Sequence, residues 1–193
     1  RVLALLPGSR GGEVAMLGAL FLETATRLQS RYPDLKVIIP AANAARLSQL
    51  QALVAASDSA AVELVDGRSR EVMLAADAVL MASGTVTLEA LLLKRPMVVA
   101  YRMAPLSWAL VRRLATTPFA ALPNILAGER VVPEFLQEDA TVDHLVSAVG
   151  ELLEGGTDPQ VQRFTEIHQA LRLGFAERSA DALVALAQSH RHG

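Results

Sequence analysis

Apolar residues in this chain follow two alternating rhythms. Short runs are apolar at every position, as in "VLALL" (2–6) and "MVVA" (97–100). Strands of that kind are buried on both faces, as in a parallel sheet covered by helices on each side. Between the runs, apolar positions recur at helical spacing: Val14, Leu17, Phe21, Ala25 and Leu28 fall on one helix face. The pattern predicts strands at 2–6, 36–41, 61–66, 77–83 and 96–101. It predicts helices after the first strand, over 43–56, at "SREVMLAA" and at "TVTLEALLL". Strands separated by helices imply right-handed crossovers. The expected fold is α/β: a doubly wound, mostly parallel, Rossmann-like sheet of about six strands with helices on both faces. Residues 105–137 are less regular and rich in proline and positive charge. Helix returns over 141–154 and 158–188, with Gly174 as a candidate kink.

Composition narrows the classes. The 193 residues suit one large domain, read here as 1–193. A hydrophobic fraction of 52% with only 4% aromatics makes the core mostly Ala, Leu and Val. The formal net charge of −2 leaves no electrostatic footprint for nucleic acid. The absence of cysteine removes disulfides and thiolate metal sites. No apolar run approaches the roughly 20 residues that cross a bilayer. The chain starts at Arg1 and enters a strand at once, so the expectation is a piece of a longer polypeptide.

Two strand-to-helix turns carry the candidate chemistry. In "PGSRGGE" (7–13), Gly8 and its neighbouring glycines allow close backbone approach, and Ser9 and Arg10 add donors. The helix that follows offers unpaired amides and partial positive charge to an anion, and Glu13 falls in its first turn. Alone, this turn suits a phosphate and an ordinary connection equally. It matches neither G-x-G-x-x-G nor G-x-x-x-x-G-K-[ST]. The second turn is "ASGTVTLEA" (82–90), where Ser83, Gly84 and Thr85 offer hydroxyls and amides. Glu89 lies one helical turn beyond Thr85 and leans back toward the ligand end, where it can accept from two ribose hydroxyls. As an isolated feature it reads first as a solvated helix glutamate. Together the two turns suit a nucleoside diphosphate.

Other signatures are missing: no D-x-D, no H-E-x-x-H and no G-x-S-x-G occurs. No metal site and no resident cofactor are expected. His144 and His168 sit in helical patterns and read as surface or packing residues. In "YRMAPLSWALVRRLATTPFAALPNILAG" (101–128), Trp108, Arg112 and Arg113 make a cationic, aromatic patch suited to a membrane interface or an anionic amphiphile. An ordinary amphipathic helix explains them as well. Asn124 follows a proline and is a candidate cleft amide.

Three separated stretches, "LLPGSRGGEV", "AADAVLMASGTVTLEALLLKRPMVVAYRM" and "LPNILAGERVVPEFLQ", resemble the carboxyl-terminal half of the bacterial lipid-A-disaccharide synthase family, in matching order and nearly end to end. Val86 and Phe119 depart from the expected alanine and tyrosine, and neither departure removes a polar group assigned to the nucleotide pocket. The resemblance implies the donor half of an inverting, two-domain GT-B glycosyltransferase. Such an enzyme joins 2,3-diacylglucosamine from its UDP donor to the 6-hydroxyl of 2,3-diacylglucosamine 1-phosphate. It implies Gly8, Ser9 and Arg10 on the diphosphate, with Arg10 stabilising the leaving group. Ser83, Gly84 and Thr85 close around it, Glu89 takes the ribose, and uracil lies on backbone near Leu64 and Val65. It implies further a missing amino-terminal domain that carries the base and packs on helices 141–188, and a peripheral place on the cytoplasmic face of a Gram-negative inner membrane. A homodimer is left open. The alternatives are a nucleotide-sugar epimerase-like domain and a non-catalytic nucleotide-binding module.

Overall fold

The computed structural model describes residues 1–57, 61–104, 107–108, 113, 117–172 and 174–189. The first half alternates strand and helix: β1 (Val2–Leu6), α1 (Gly11–Arg31), β2 (Lys36–Ala41), α2 (Ala44–Ala55), β3 (Val62–Asp66), α3 (Ser69–Ala75), β4 (Ala78–Ala82), α4 (Val86–Leu92) and β5 (Met97–Tyr101). Then come α5 (Leu122–Ala127), β6 (Glu134–Leu136), a short 3-10 turn (Gln137–Asp139), α6 (Val142–Leu153), α7 (Asp158–Leu171) and α8 (Phe175–Ser189). Each strand predicted from its apolar run is present to within a residue or two. The sixth, β6, lies inside the stretch read as irregular; at three residues it is too short to leave a periodic trace.

All six strands pair in parallel, in the order β3-β2-β1-β4-β5-β6. Alternate side chains of each strand feed opposite faces. Leu3, Leu5, Leu80 and Val98 join Phe21, Leu28, Leu50 and Val149 on the face covered by α1, α2 and α6. Ala4, Val79, Met81 and Val99 join Met73, Leu91, Phe164 and Ile167 on the face covered by α3, α4 and α7. β1, β4 and β5 are therefore apolar at every position because each side of the pleat has its own core.

Helix boundaries follow local chemistry. Asn43 caps α2 by accepting from the Arg46 amide at 3.0 Å, and Thr141 does the same for α6 through the His144 amide at 3.3 Å. The helical stretch expected over 158–188 is two helices, with Gly174 at φ +63° between them. Gln160 on α7 clamps the start of β5: its side chain accepts from the Met97 amide at 2.9 Å and donates to the Met97 carbonyl at 3.2 Å.

Within this chain, α6 and α7 of the 141–188 stretch pack on opposite faces of the sheet. Leu145 and Val149 of α6 are fully buried in the first core, and Phe164 of α7 is fully buried in the second. On α8, Leu183 and Val184 are exposed.

Candidate functional site

The strand order reverses between β1 and β4. The helix after β1 lies on one face of the sheet and the helix after β4 on the other, which opens a crevice at their carboxyl ends. A cleft of about 510 Å³ occupies that place. One wall is Leu6, Gly8, Ser9, Arg10 and Glu13; the facing wall is Ala82, Ser83, Gly84, Thr85, Val86 and Glu89. Both predicted turns thus meet across a single cleft. The remaining lining comes from Pro40, Ala41 and Ala42 at the end of β2, and from Gly67 and Ser69 after β3.

The first turn is held by its own glutamate. Oε2 of Glu13 accepts from the backbone amides of Ser9 and Arg10 at 3.0 and 3.2 Å, and Oε1 accepts from the Arg10 guanidinium at 2.8 Å. Gly8 has φ +123°, and a Cβ there would lie 2.5 Å from both Cβ and Oε2 of Glu13. Only glycine permits that fold-back. The Arg10 side chain is 83% exposed, so the guanidinium has room to turn to a ligand.

The second turn divides its donors. The Ser83 hydroxyl donates to the Ala120 carbonyl at 2.7 Å and its amide to the Ala100 carbonyl at 3.2 Å. Ser83 therefore ties the loop before α5 to the cleft floor and keeps no hydrogen for a phosphate. Thr85 and Gly84 are exposed at the start of α4, and the Glu89 carboxylate lines the cleft with no ion pair or hydrogen bond among the described residues.

Asn124 is not a cleft residue. It is fully buried and makes four bonds: its Nδ2 donates to the Val132 carbonyl and to Glu134, and its Oδ1 accepts from the amides of Val131 and Val132 at 2.8 and 2.9 Å. An asparagine amide has no further capacity of consequence. Glu134, 4% exposed, also accepts from the amides of Ala120 and Ala121 at 2.8 and 2.7 Å. This buried network fixes the loop that Ser83 holds.

Leu64 and Val65 pair with Ile39 and Pro40 in the sheet and are half-buried; the cleft is reached instead by Gly67 and Ser69, just beyond their strand. The "DG" at 66–67 was the available signal for that turn. Trp108 is half-buried and Arg113 exposed, while Arg112 lies outside the described residues. His144 stacks on Phe135 with ring centroids 5.5 Å apart, and Nδ1 of His168 lies 2.8 Å from Nζ of Lys94. Both are packing contacts outside the cleft. Among the described residues no helix is long and apolar enough to cross a membrane.

The fold recurs in solved structures. Spinosyn rhamnosyltransferase SpnG, complexed with thymidine diphosphate, matches with a TM-score of 0.57 at 14% identity, over 86% of this chain and 40% of that one. WaaG, a glycosyltransferase involved in lipopolysaccharide biosynthesis, matches at 0.55 and 15% identity, over 94% and 46%. A putative UDP-N-acetylglucosamine 2-epimerase from Listeria monocytogenes matches at 0.55 and 14%, over 92% and 46%. These likenesses establish a shared α/β architecture and nothing finer. Sequence is more discriminating. Lipid-A-disaccharide synthase of Pseudomonas fluorescens is 51% identical over 185 residues, 96% of this chain and 49% of the relative. That of Pseudomonas aeruginosa is 48% identical over 188 residues, 97% and 50%. The chain thus spans about half the length of the curated relatives it matches. The family model of lipid-A-disaccharide synthetase covers residues 1–187. On this sequence likeness, the chain belongs to the lipid-A-disaccharide synthetase family.

Proposed function

We propose that this chain is the UDP-sugar-binding half of an inverting glycosyltransferase that builds the β-1,6-linked lipid A disaccharide 1-phosphate and releases UDP. The observation that carries the reading is the cleft at the strand-order reversal, with the exposed guanidinium of Arg10 on one wall and the unpaired carboxylate of Glu89 on the other. Cation and carboxylate on opposite walls suit a ligand that is anionic at one end and hydroxylated at the other. The diphosphate lies along Gly8, Ser9 and Arg10 and meets the amides of Gly84 and Thr85. Glu89 accepts from the ribose hydroxyls, and the uracil reaches past the end of β3, beyond Leu64 and Val65, toward Gly67 and Ser69.

In the reaction, the acceptor's 6-hydroxyl oxygen attacks the anomeric carbon and the bond to the β-phosphate oxygen breaks. The electron pair leaves with UDP, and the hydroxyl proton passes to a base in the other half of the enzyme. Negative charge grows on the diphosphate as the bond breaks, and a preorganised cation and helix N-terminus stabilise it most where water is excluded. Arg10 and the start of α1 stand at that place, without recourse to a resident metal. Family membership, rather than fold, sets this reading above the epimerase alternative.

The lipid substrates place the enzyme peripherally at the cytoplasmic face of the inner membrane, with Trp108, Arg112 and Arg113 as the contact. Calorimetric titration with UDP and with NAD tests the nucleotide reading. UDP binds and NAD does not; NAD binding with no UDP binding at millimolar concentration overturns the assignment.

A further inference from the structure

Arg46 occupies a position that electrostatics disfavours. It lies in the first turn of α2, and its half-buried side chain reaches across to Gly11, the first residue of α1. A methyl group on Gly11 would lie 2.6 Å from one guanidinium nitrogen of Arg46. The cation therefore sits between the positive ends of two helices, 21 and 12 residues long, where the macrodipoles oppose it. No carboxylate among the described residues pairs with it, and its Nε is buried without a hydrogen-bond partner. Its base is fixed, because Gln49, one turn along α2, donates to the Gly11 carbonyl at 3.0 Å. Arg46 lies outside the lining of the cleft but against Gly11, the residue after Arg10 of the cleft wall, and an arginine left without a carboxylate there is a local conflict of the kind that functional sites retain.

The neighbouring donors are unequally engaged. Glu13 takes the amides of Ser9 and Arg10, whereas those of Gly11 and Gly12 find no acceptor among the described residues. Ala41 and Ala42 carry the cleft wall toward the start of α2. We infer that Arg46 is a second phosphate-binding arginine of the cleft, reaching a diphosphate oxygen from the β2–α2 side while Arg10 reaches it from the β1–α1 turn. This rests on the nucleoside-diphosphate reading of the cleft.

The test is calorimetric titration of UDP and of uridine into the unaltered chain, Arg46→Ala and Arg46→Lys, with thermal unfolding of each. Arg46→Ala weakens UDP binding about 10- to 100-fold, the scale of a lost charge-assisted hydrogen bond. It leaves uridine binding and the unfolding temperature unchanged, and Arg46→Lys restores part of the UDP affinity. Equal UDP affinity in Arg46→Ala overturns the inference alone. So does a parallel loss for UDP and uridine with a lowered unfolding temperature, which marks a purely structural role. No UDP binding by the unaltered chain sinks the nucleotide reading and this inference with it.

Discussion

Glu13 grips Arg10 at both ends: its carboxylate takes the Arg10 amide at 3.2 Å and the Arg10 guanidinium at 2.8 Å. The same carboxylate takes the Ser9 amide at 3.0 Å, so one side chain satisfies the turn and counters the cation. Replacing Glu13 by alanine leaves these amides to water and costs about 1–2 kcal/mol, the range of a lost helix cap. Glu13→Gln keeps an acceptor oxygen and costs less. Urea denaturation compares the two, and equal midpoints for both variants and the unaltered chain contradict the bracing role.

Arg10→Ala, made in an enzyme of full family length, removes one preorganised donor from the departing diphosphate. The expected loss is about 3–4 kcal/mol of transition-state stabilisation, by analogy with an oxyanion-hole donor. Steady-state kinetics reads it as a fall in kcat. Activity within about tenfold of the unaltered enzyme takes Arg10 out of the leaving-group role.

Asn124→Ala abandons the half-buried Val131 amide, the buried Val132 amide and one contact of the buried Glu134. Stranded buried donors cost about 1–3 kcal/mol apiece, so a loss of about 3 kcal/mol or more is expected. Chemical unfolding measures it. A variant with normal stability and impaired UDP binding reverses the assignment and returns Asn124 to the ligand.

Stability near Tyr32 depends on pH at both ends of the scale. Its hydroxyl donates to Glu154 at 2.6 Å, and Arg31 reaches the same oxygen at 2.6 Å. The Tyr32 hydroxyl first, and the Arg31 charge second, hold the Glu154 carboxyl below its usual range. The same hydrogen bond raises the Tyr32 phenol above 10.0. A carboxylate depressed by folding stabilises above its unfolded pKa and loses that contribution as pH falls through the folded value. A phenol raised by folding stabilises below its unfolded pKa and loses that contribution as pH rises through the raised value. Tyr32→Phe therefore abolishes the alkaline fall and blunts the acid one. Unfolding temperatures from roughly pH 3 to pH 11 display the difference, and superimposable profiles refute it.

Membrane contact through Trp108, Arg112 and Arg113 predicts co-sedimentation with anionic vesicles that weakens when all three are changed to alanine and with added salt. An unchanged profile removes the patch from that role.

β1, β4 and β5 were legible because each is apolar on both faces, and the two glycine-bearing turns were legible because each follows such a strand. That β1 and β4 are neighbours was not legible, since parallel pairing joins Leu3 to Ala78 across a stretch of two intervening strands. The finer assignments failed for the same reason. Ser83 meets Ala120, and Asn124 meets Glu134, through folding of a loop whose sequence has no period to read. Arg46 looked like any polar helix residue until α2 was set beside α1. Glu13 was expected to favour the helix dipole, and it does more, closing back on the turn because Gly8 leaves it the room.

The clamp of Gln160 on Met97 bears on solubility. β6 begins opposite Val99, so the outward amide and carbonyl of Met97 form a short stretch of open sheet edge. Such an edge templates strand addition from another copy of the chain. By filling both groups, the Gln160 side chain stands where a longer β6 would continue and denies that stretch of edge to strangers. A three-residue outer strand is then long enough, because a helix completes the border that it leaves unguarded.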